Sequence, residues 1–115
     1  MKVPFVTEAE LPRAKIVFYL LDPNHRSGKS NARFFAGHGY AADRWQELAE
    51  ALRVHAAEIE VVKQETTPLG VRLAVESPLT MRNGEVAQIR SVWFIESGER
   101  APRLATAYPG GAAAV

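Results

Sequence analysis

The stretch VRLAVESPLTMRNGEVAQIRSVWFI, residues 71–95, decides the fold. Apolar and polar side chains alternate at both of its ends, which is typical of β-strands with one buried face. Asn83-Gly84 between them predicts a tight turn, so the two strands pair as an antiparallel hairpin. The second strand, predicted over 86–95, places these side chains on one face: Ala87, Ile89, Ser91, Trp93 and Ile95.

Two further strands flank this hairpin. Residues 59–65 are rich in β-forming side chains, and a turn signal at 67–70 follows them. Residues 103–108 come after a second turn signal at 97–100. Because no helical crossover separates the four strands, we expect an antiparallel meander in chain order.

Helical patterns occupy the chain before this sheet. An apolar run that stops at Asp22-Pro23 predicts a first helix near 12–21. A second helix is predicted to end at Gly37 or Gly39. The third carries side chains with helical spacing on one face: Trp45, Leu48, Leu52, His55 and Ile59. The predicted fold class is therefore α+β, with three N-terminal helices followed by a four-stranded antiparallel meander sheet.

Composition restricts the class of protein. The 115 residues suit a leader at 1–11, a single α+β domain at 12–109 and a flexible tail at 110–115. Fourteen basic and 13 acidic residues leave a formal charge of +1, so no strong field points to nucleic acid or to a membrane. The absence of cysteine excludes disulfides, thiol catalysis and cysteine-ligated zinc. We find no metal or cofactor motif, so we expect no cofactor. No apolar run has the length of a signal peptide or of a membrane span. The expected location is the cytoplasm, either as a separate protein or as the C-terminal module of a larger one.

The stretch from Asn24 to Arg33 contains no acidic residue. Its basic side chains form a sizeable cluster: His25, Arg26, Lys29 and Arg33. Gly28 permits close approach of the backbone, and the N-terminus of the second helix would point at a bound anion. This pattern predicts a phosphate-binding corner. The alternative is a solvated loop whose charges face water.

His55 lies on the apolar stripe of the third helix, at its C-terminal end. An imidazole there can act as a general acid or base, because its ordinary pKa lies near neutral pH and a helix C-terminus favours the charged form. The alternative is a core histidine that is satisfied by a backbone carbonyl.

Arg72 and Arg90 are predicted on the sheet face opposite the apolar one, since each alternates with the core side chains of its strand. Two arginines on an open face can bind an anion, or they can only make a solvated face more polar. On the last strand, Thr106 and Tyr108 are good strand formers whose hydroxyls can also orient a phosphate.

Two parts of the chain resemble a family of small bacterial domains of unknown function. The first comprises residues 15–25, KIVFYLLDPNH, and 28–35, GKSNARFF. The second comprises 92–95, VWFI, and 102–109, PRLATAYP. The resemblance covers most of residues 12–109 and does not by itself define a reaction.

The layout of that family is similar to that of the bacterial ribonuclease toxins that include barnase, colicin D and RelE-type toxins. The resemblance implies an endoribonuclease that cuts RNA without metal, by attack of the ribose 2′-hydroxyl on the adjacent phosphate. It gives catalytic roles to His55 as general acid or base, and to Lys29 and Arg90 as stabilisers of transition-state charge. Substrate binding would then fall to His25, Arg33, Arg72, Thr106 and Tyr108. The implied partners are RNA and a small antitoxin or immunity protein.

The competing hypothesis is a non-catalytic binding or interaction module, such as the antitoxin-like half of a toxin pair. The near-neutral charge favours it, because many RNA-cleaving toxins are strongly basic. The nuclease hypothesis predicts that His55, Lys29 and Arg90 surround one cleft. The interaction hypothesis predicts a buried His55 and dispersed arginines.

Overall fold

The structure confirms the predicted fold class. It is a computed structural model that describes residues 1–22, 24 and 29–110, without the side chains of Lys29 and Ser30. Helical segments come first, and a four-stranded antiparallel sheet in the order β1-β2-β3-β4 follows them. The strands are β1 Val61–Thr67, β2 Gly70–Thr80, β3 Val86–Glu96 and β4 Arg103–Pro109.

The hairpin of β2 and β3 forms where the sequence predicts it. Asn83 and Gly84 lie in the connection, and the N–H of Gly84 donates to the carbonyl of Met81 at 2.9 Å. Gly84 has a φ of 88°, a left-handed conformation that glycine adopts without steric cost. The register places Leu73 opposite Trp93, so both point into the core. A slip by one residue would turn every side chain of the strand to the other face.

The helical segments are α1 Arg13–Lys15, a π-helical turn Ile16–Leu20, α2 Lys29–Gly37 and α3 Trp45–Glu58, with short 3₁₀ turns at Val6–Glu8 and Ala42–Arg44. Their apolar sides cover one face of the sheet. The core they share with it includes Ile16, Phe35, Leu48, Leu52 and Trp93, none of which is exposed to solvent. No helix among the described residues is long and apolar enough to cross a membrane.

The first helix is less regular than predicted. The range predicted as one helix at 12–21 forms α1 and the π-helical turn, in which the N–H of Leu21 donates to the carbonyl of Ile16 at 2.8 Å. The turn buries Ile16 and Leu20 completely. The apolar pattern could not show this winding, because two core residues four apart suit an α-helix equally well.

Residues 1–11, the stretch predicted as a leader, pack against the helices and the sheet. Val3, Val6 and Leu11 are buried in the core, and the guanidinium of Arg53 donates to the carbonyl of Val6 at 3.2 Å. Glu10 forms a parallel bridge with Arg103, so this segment lies along the outer edge of β4. The sequence pattern does not indicate this packing, because these apolar residues follow neither a helix nor a strand period. Of the predicted tail at 110–115, residues 111–115 lie outside the described residues.

Candidate functional site

The sheet face opposite the helices carries a hollow of about 220 Å³, which we call the open-face hollow. Side chains from all four strands line it: Lys63 and Glu65 from β1, Arg72 and Ala74 from β2, Arg90 and Val92 from β3, and Tyr108 from β4. Because neighbouring strands are in register, side chains two residues apart on each strand reach the same face. The meander therefore gathers charged groups that are far apart in the chain.

Pairing across the strands explains the shape of the hollow. Ala74 lies opposite Val92 in β2 and β3, and both are short side chains with little exposed surface. Lys63 is opposite Ala74 on one side. Arg90 is opposite Tyr108 in the row next to Val92. Short side chains thus form the floor, and long cationic and aromatic side chains form the rim.

Three cations and two carboxylates set the electrostatics of this face. Arg90 donates from Nη1 to Oε1 of Glu76 at 3.1 Å, directly across the two strands. The ammonium of Lys63 lies 3.3 Å from Oε1 of Glu65. Glu65 is opposite Arg72 across β1 and β2. Within the described part of the chain, the exposed side chain of Arg72 makes no hydrogen bond or ion pair, which leaves its guanidinium available to an anion.

Thr106 lies next to the open-face hollow. It is opposite Val92, and its Oγ1 is 3.2 Å from the hydroxyl of Tyr19, so either of the two groups can donate. Tyr19 belongs to the π-helical turn, and the ammonium of Lys15 lies 5.1 Å from the centre of its ring. The contact of Tyr19 with Thr106 brings the helical segment to the rim of the sheet face.

The predicted site residues divide into groups. Arg72, Arg90 and Tyr108 come together at the hollow, and Thr106 lies beside it. Arg33 is exposed on α2 and does not line the hollow. Outside the described residues lie His25 and, as a side chain, Lys29. Sequence reasoning missed Lys63 and Glu65, although two opposite charges that alternate in a β-forming segment are a signal for the same face.

His55 lies on the other side of the sheet. Its side chain is buried, with 2% relative exposure, and Nδ1 is 3.0 Å from Oγ of Ser91. The indole N–H of Trp93 donates to the same oxygen at 3.0 Å. Ser91 faces the helices whereas its neighbour Arg90 faces the hollow, so the structure does not bring His55 and Arg90 to one cleft.

Burial also affects the protonation of His55. Loss of solvent lowers the pKa of the imidazole from its ordinary value of 6.5, and the backbone of Ser77 opposes this to a smaller extent. Nε2 is buried and makes no hydrogen bond of normal geometry, so a proton there would lack an acceptor. The partner of Nδ1 is the hydroxyl of Ser91, whereas the sequence suggested a backbone carbonyl for this histidine.

We expect His55 to make the fold sensitive to acid. Because the unfolded chain binds the proton more tightly than the folded one, stability decreases as the pH falls below about 6.5, towards the lower pKa of the folded state. His55→Leu removes the proton site, so unfolding by urea should show a smaller loss of stability between pH 7 and pH 5. An equal loss in His55→Leu and wild type would contradict the assignment.

A family model described as "Domain of unknown function (DUF6883)" matches residues 2–111. No curated protein matches the chain. A solved chain from a "Contact-dependent growth inhibition toxin - immunity protein complex from Klebsiella pneumoniae 342" superimposes with a TM-score of 0.70 and 19% identity, over 86% of this chain and 97% of that one. At that identity the likeness shows a shared fold.

Within the described residues, no group of three His, Cys, Asp or Glu side chains could hold a metal ion.

Proposed function

The chain belongs to the family of domains of unknown function DUF6883, and we propose that it is a toxin-type endoribonuclease domain that cuts RNA at the open-face hollow. The observation that carries the proposal is the convergence of Arg72, Arg90, Lys63 and Tyr108 around one small hollow. The structural neighbour comes from a complex of a contact-dependent growth inhibition toxin and an immunity protein. We propose an immunity-type protein as the partner of this chain as well.

A phosphodiester is the ligand that suits the hollow. The volume of the hollow, about 220 Å³, lies below the roughly 300–1,000 Å³ of sites that enclose a drug-sized molecule. Arginine binds phosphate through two parallel N–H donors, and Arg72 has no internal partner to give up within the described chain. The floor of Ala74 and Val92 lets the backbone of the nucleic acid come close to the sheet.

The proposed reaction needs no metal. The ribose 2′-oxygen forms a bond to phosphorus, the bond from phosphorus to the 5′-oxygen breaks, and the products carry a 2′,3′-cyclic phosphate and a 5′-hydroxyl. The carboxylate of Glu65 takes the proton of the 2′-hydroxyl, and the ammonium of Lys63 gives a proton to the leaving oxygen. Arg72 and Arg90 stabilise the extra negative charge of the transition state. His55 has no role in this scheme, because it is sealed on the opposite side of the sheet.

The test incubates the purified chain with a short RNA in the presence of EDTA, over a range of salt concentrations. We expect cleavage with EDTA and fragments that carry 2′,3′-cyclic phosphate in mass spectra. The same RNA with 2′-O-methyl groups should stay intact, because it lacks the attacking hydroxyl. Absence of cleavage at every salt concentration would remove the nuclease proposal.

A second candidate is a non-catalytic module that binds an anionic partner through the same face. The ion pairs Arg90–Glu76 and Lys63–Glu65 favour it, because they neutralise two of the three cations around the hollow. The buried His55 also favours it, because the interaction hypothesis predicts a histidine away from the site. This candidate predicts that RNA or an acidic protein binds and stays uncut. Binding that Arg72→Ala weakens, together with intact RNA in the cleavage assay, would support it over the nuclease.

A further inference from the structure

One edge of the sheet is open and the other is covered. The segment around Glu10 lies along β4, whereas β1 pairs with β2 alone among the described strands. The side chains from Val62 to Thr67 are all exposed, and Val62 has 56% relative exposure. An edge strand of this kind presents unpaired N–H and C=O groups that can pair with another strand.

The open part of β1 has a defined length. At its start, the N–H of Val61 donates to the carbonyl of Met1 at 2.7 Å. At its end, Thr67 turns into β2, where it is opposite Gly70. The free stretch is therefore 62–66, with Gln64 as its middle residue. The register with β2 shifts between Val61 and Lys63, so regular pairing of the free edge begins at Lys63.

We propose that β1 of a second copy of this chain pairs antiparallel with β1 about a two-fold axis at Gln64. In this register, Lys63 lies opposite Glu65 of the second copy, and Glu65 lies opposite its Lys63. Val62 lies at the register shift between Val61 and Lys63, so it takes no part in the regular pairs of this interface. Each pair occurs twice because the interface is symmetric, and opposite charges across strands stabilise a sheet.

Charge selects this register over its neighbours. An axis at Lys63 would place two lysines directly opposite each other, and an axis at Glu65 would do the same with two glutamates. Parallel pairing in register would put both like-charge pairs side by side. Like charges directly opposite are destabilising, so the axis at Gln64 is favoured. The resulting eight-stranded sheet places two open-face hollows on one continuous surface, whether or not they cut RNA.

A cysteine scan tests the register, because the chain has no cysteine of its own. Opposite residues of antiparallel strands have Cα atoms about 4.5–5.5 Å apart, which suits a disulfide. Gln64→Cys should therefore form a covalent dimer on a non-reducing gel under mild oxidation. Thr66→Cys is the control, because its two copies would be roughly 13 Å apart along the strand. Equal cross-linking of both variants, or of neither, would overturn the proposal.

A charge exchange tests the pairing by sedimentation equilibrium. Lys63→Glu converts both symmetric pairs to repulsion and should weaken dimerisation about tenfold. The double variant Lys63→Glu with Glu65→Lys restores both pairs and should dimerise like the wild type. A wild-type chain that stays monomeric at millimolar concentration, or a single variant that dimerises as tightly as the wild type, would refute self-pairing. Cleavage of RNA is measured separately, so either proposal can fail alone.

Discussion

Gly70→Ala is expected to lower the free energy of unfolding by roughly 3 kcal/mol, from overpacking and an unfavourable φ together. Gly70 begins β2 with a φ of 153°, opposite Glu96 of β3. A Cβ at this position would overlap the carbonyl oxygen of Ile95 and would lie 2.9 Å from Cα of Glu96. Both atoms belong to the backbone of a central strand, so neither can move without breaking the register.

Thermal unfolding, followed by tryptophan fluorescence, measures this effect. We expect the thermal midpoint to fall by more than about 10 °C, since one kcal/mol corresponds to roughly 4 °C in a domain near this size. Gly37→Ala is the control. Nothing lies within 4 Å of an added Cβ there, and the change should be within about 0.5 kcal/mol. A Gly70→Ala variant as stable as the control would show that the close approach of β2 and β3 is not rigid.

Arg72→Ala is expected to lower the rate of RNA cleavage about 100-fold, because loss of one donor to transition-state charge typically costs that much. Among the cations of the hollow, Arg72 is the strongest candidate for stabilising the charge of the transition state. Arg90 already donates to Glu76, and Lys63 lies beside Glu65, whereas the guanidinium of Arg72 has no partner within the described chain. Since its side chain is exposed, the change should leave the stability of the fold unaltered.

The control for Arg72→Ala is Arg100→Ala. Arg100 is also exposed, and its Nη2 donates to Glu8 at 2.7 Å, away from the hollow. Cleavage rates, measured with a labelled RNA in EDTA, should match the wild type for Arg100→Ala. Equal rates in Arg72→Ala and wild type would show that RNA is not cut at the open-face hollow, even if the protein is a nuclease.

The fold could be predicted because its signals are local. Alternation identifies each strand, Asn83-Gly84 identifies the hairpin, and the lack of crossovers makes the meander the natural topology. The packing of residues 1–11 could not be predicted, because Val3 and Val6 reach the core from an irregular segment. Such contacts depend on the space between the folded sheet and α3, and the periodicity of the sequence does not indicate where that space lies.

The site could be predicted in part for a similar reason. Alternation puts Arg72 and Arg90 on the face opposite Trp93, and strand pairing then brings Tyr108 next to Arg90. The partner of His55 could not be foreseen. Its contact with Ser91 spans 36 residues and depends on how α3 sits on the sheet. The apolar stripe predicts only that this histidine faces inwards.

The shared oxygen of Ser91 has a consequence for how the chain can diverge. Both aromatic nitrogens that meet there belong to side chains sealed from water. If position 55 becomes apolar first, the hydroxyl still accepts from Trp93, and the intermediate sequence stays viable. If position 91 loses its oxygen first, the rings of His55 and Trp93 both lose their hydrogen-bond partner, at a cost of about 1–3 kcal/mol for each unsatisfied group. Neutral drift in this core therefore has a direction, with residue 55 free to change before residue 91.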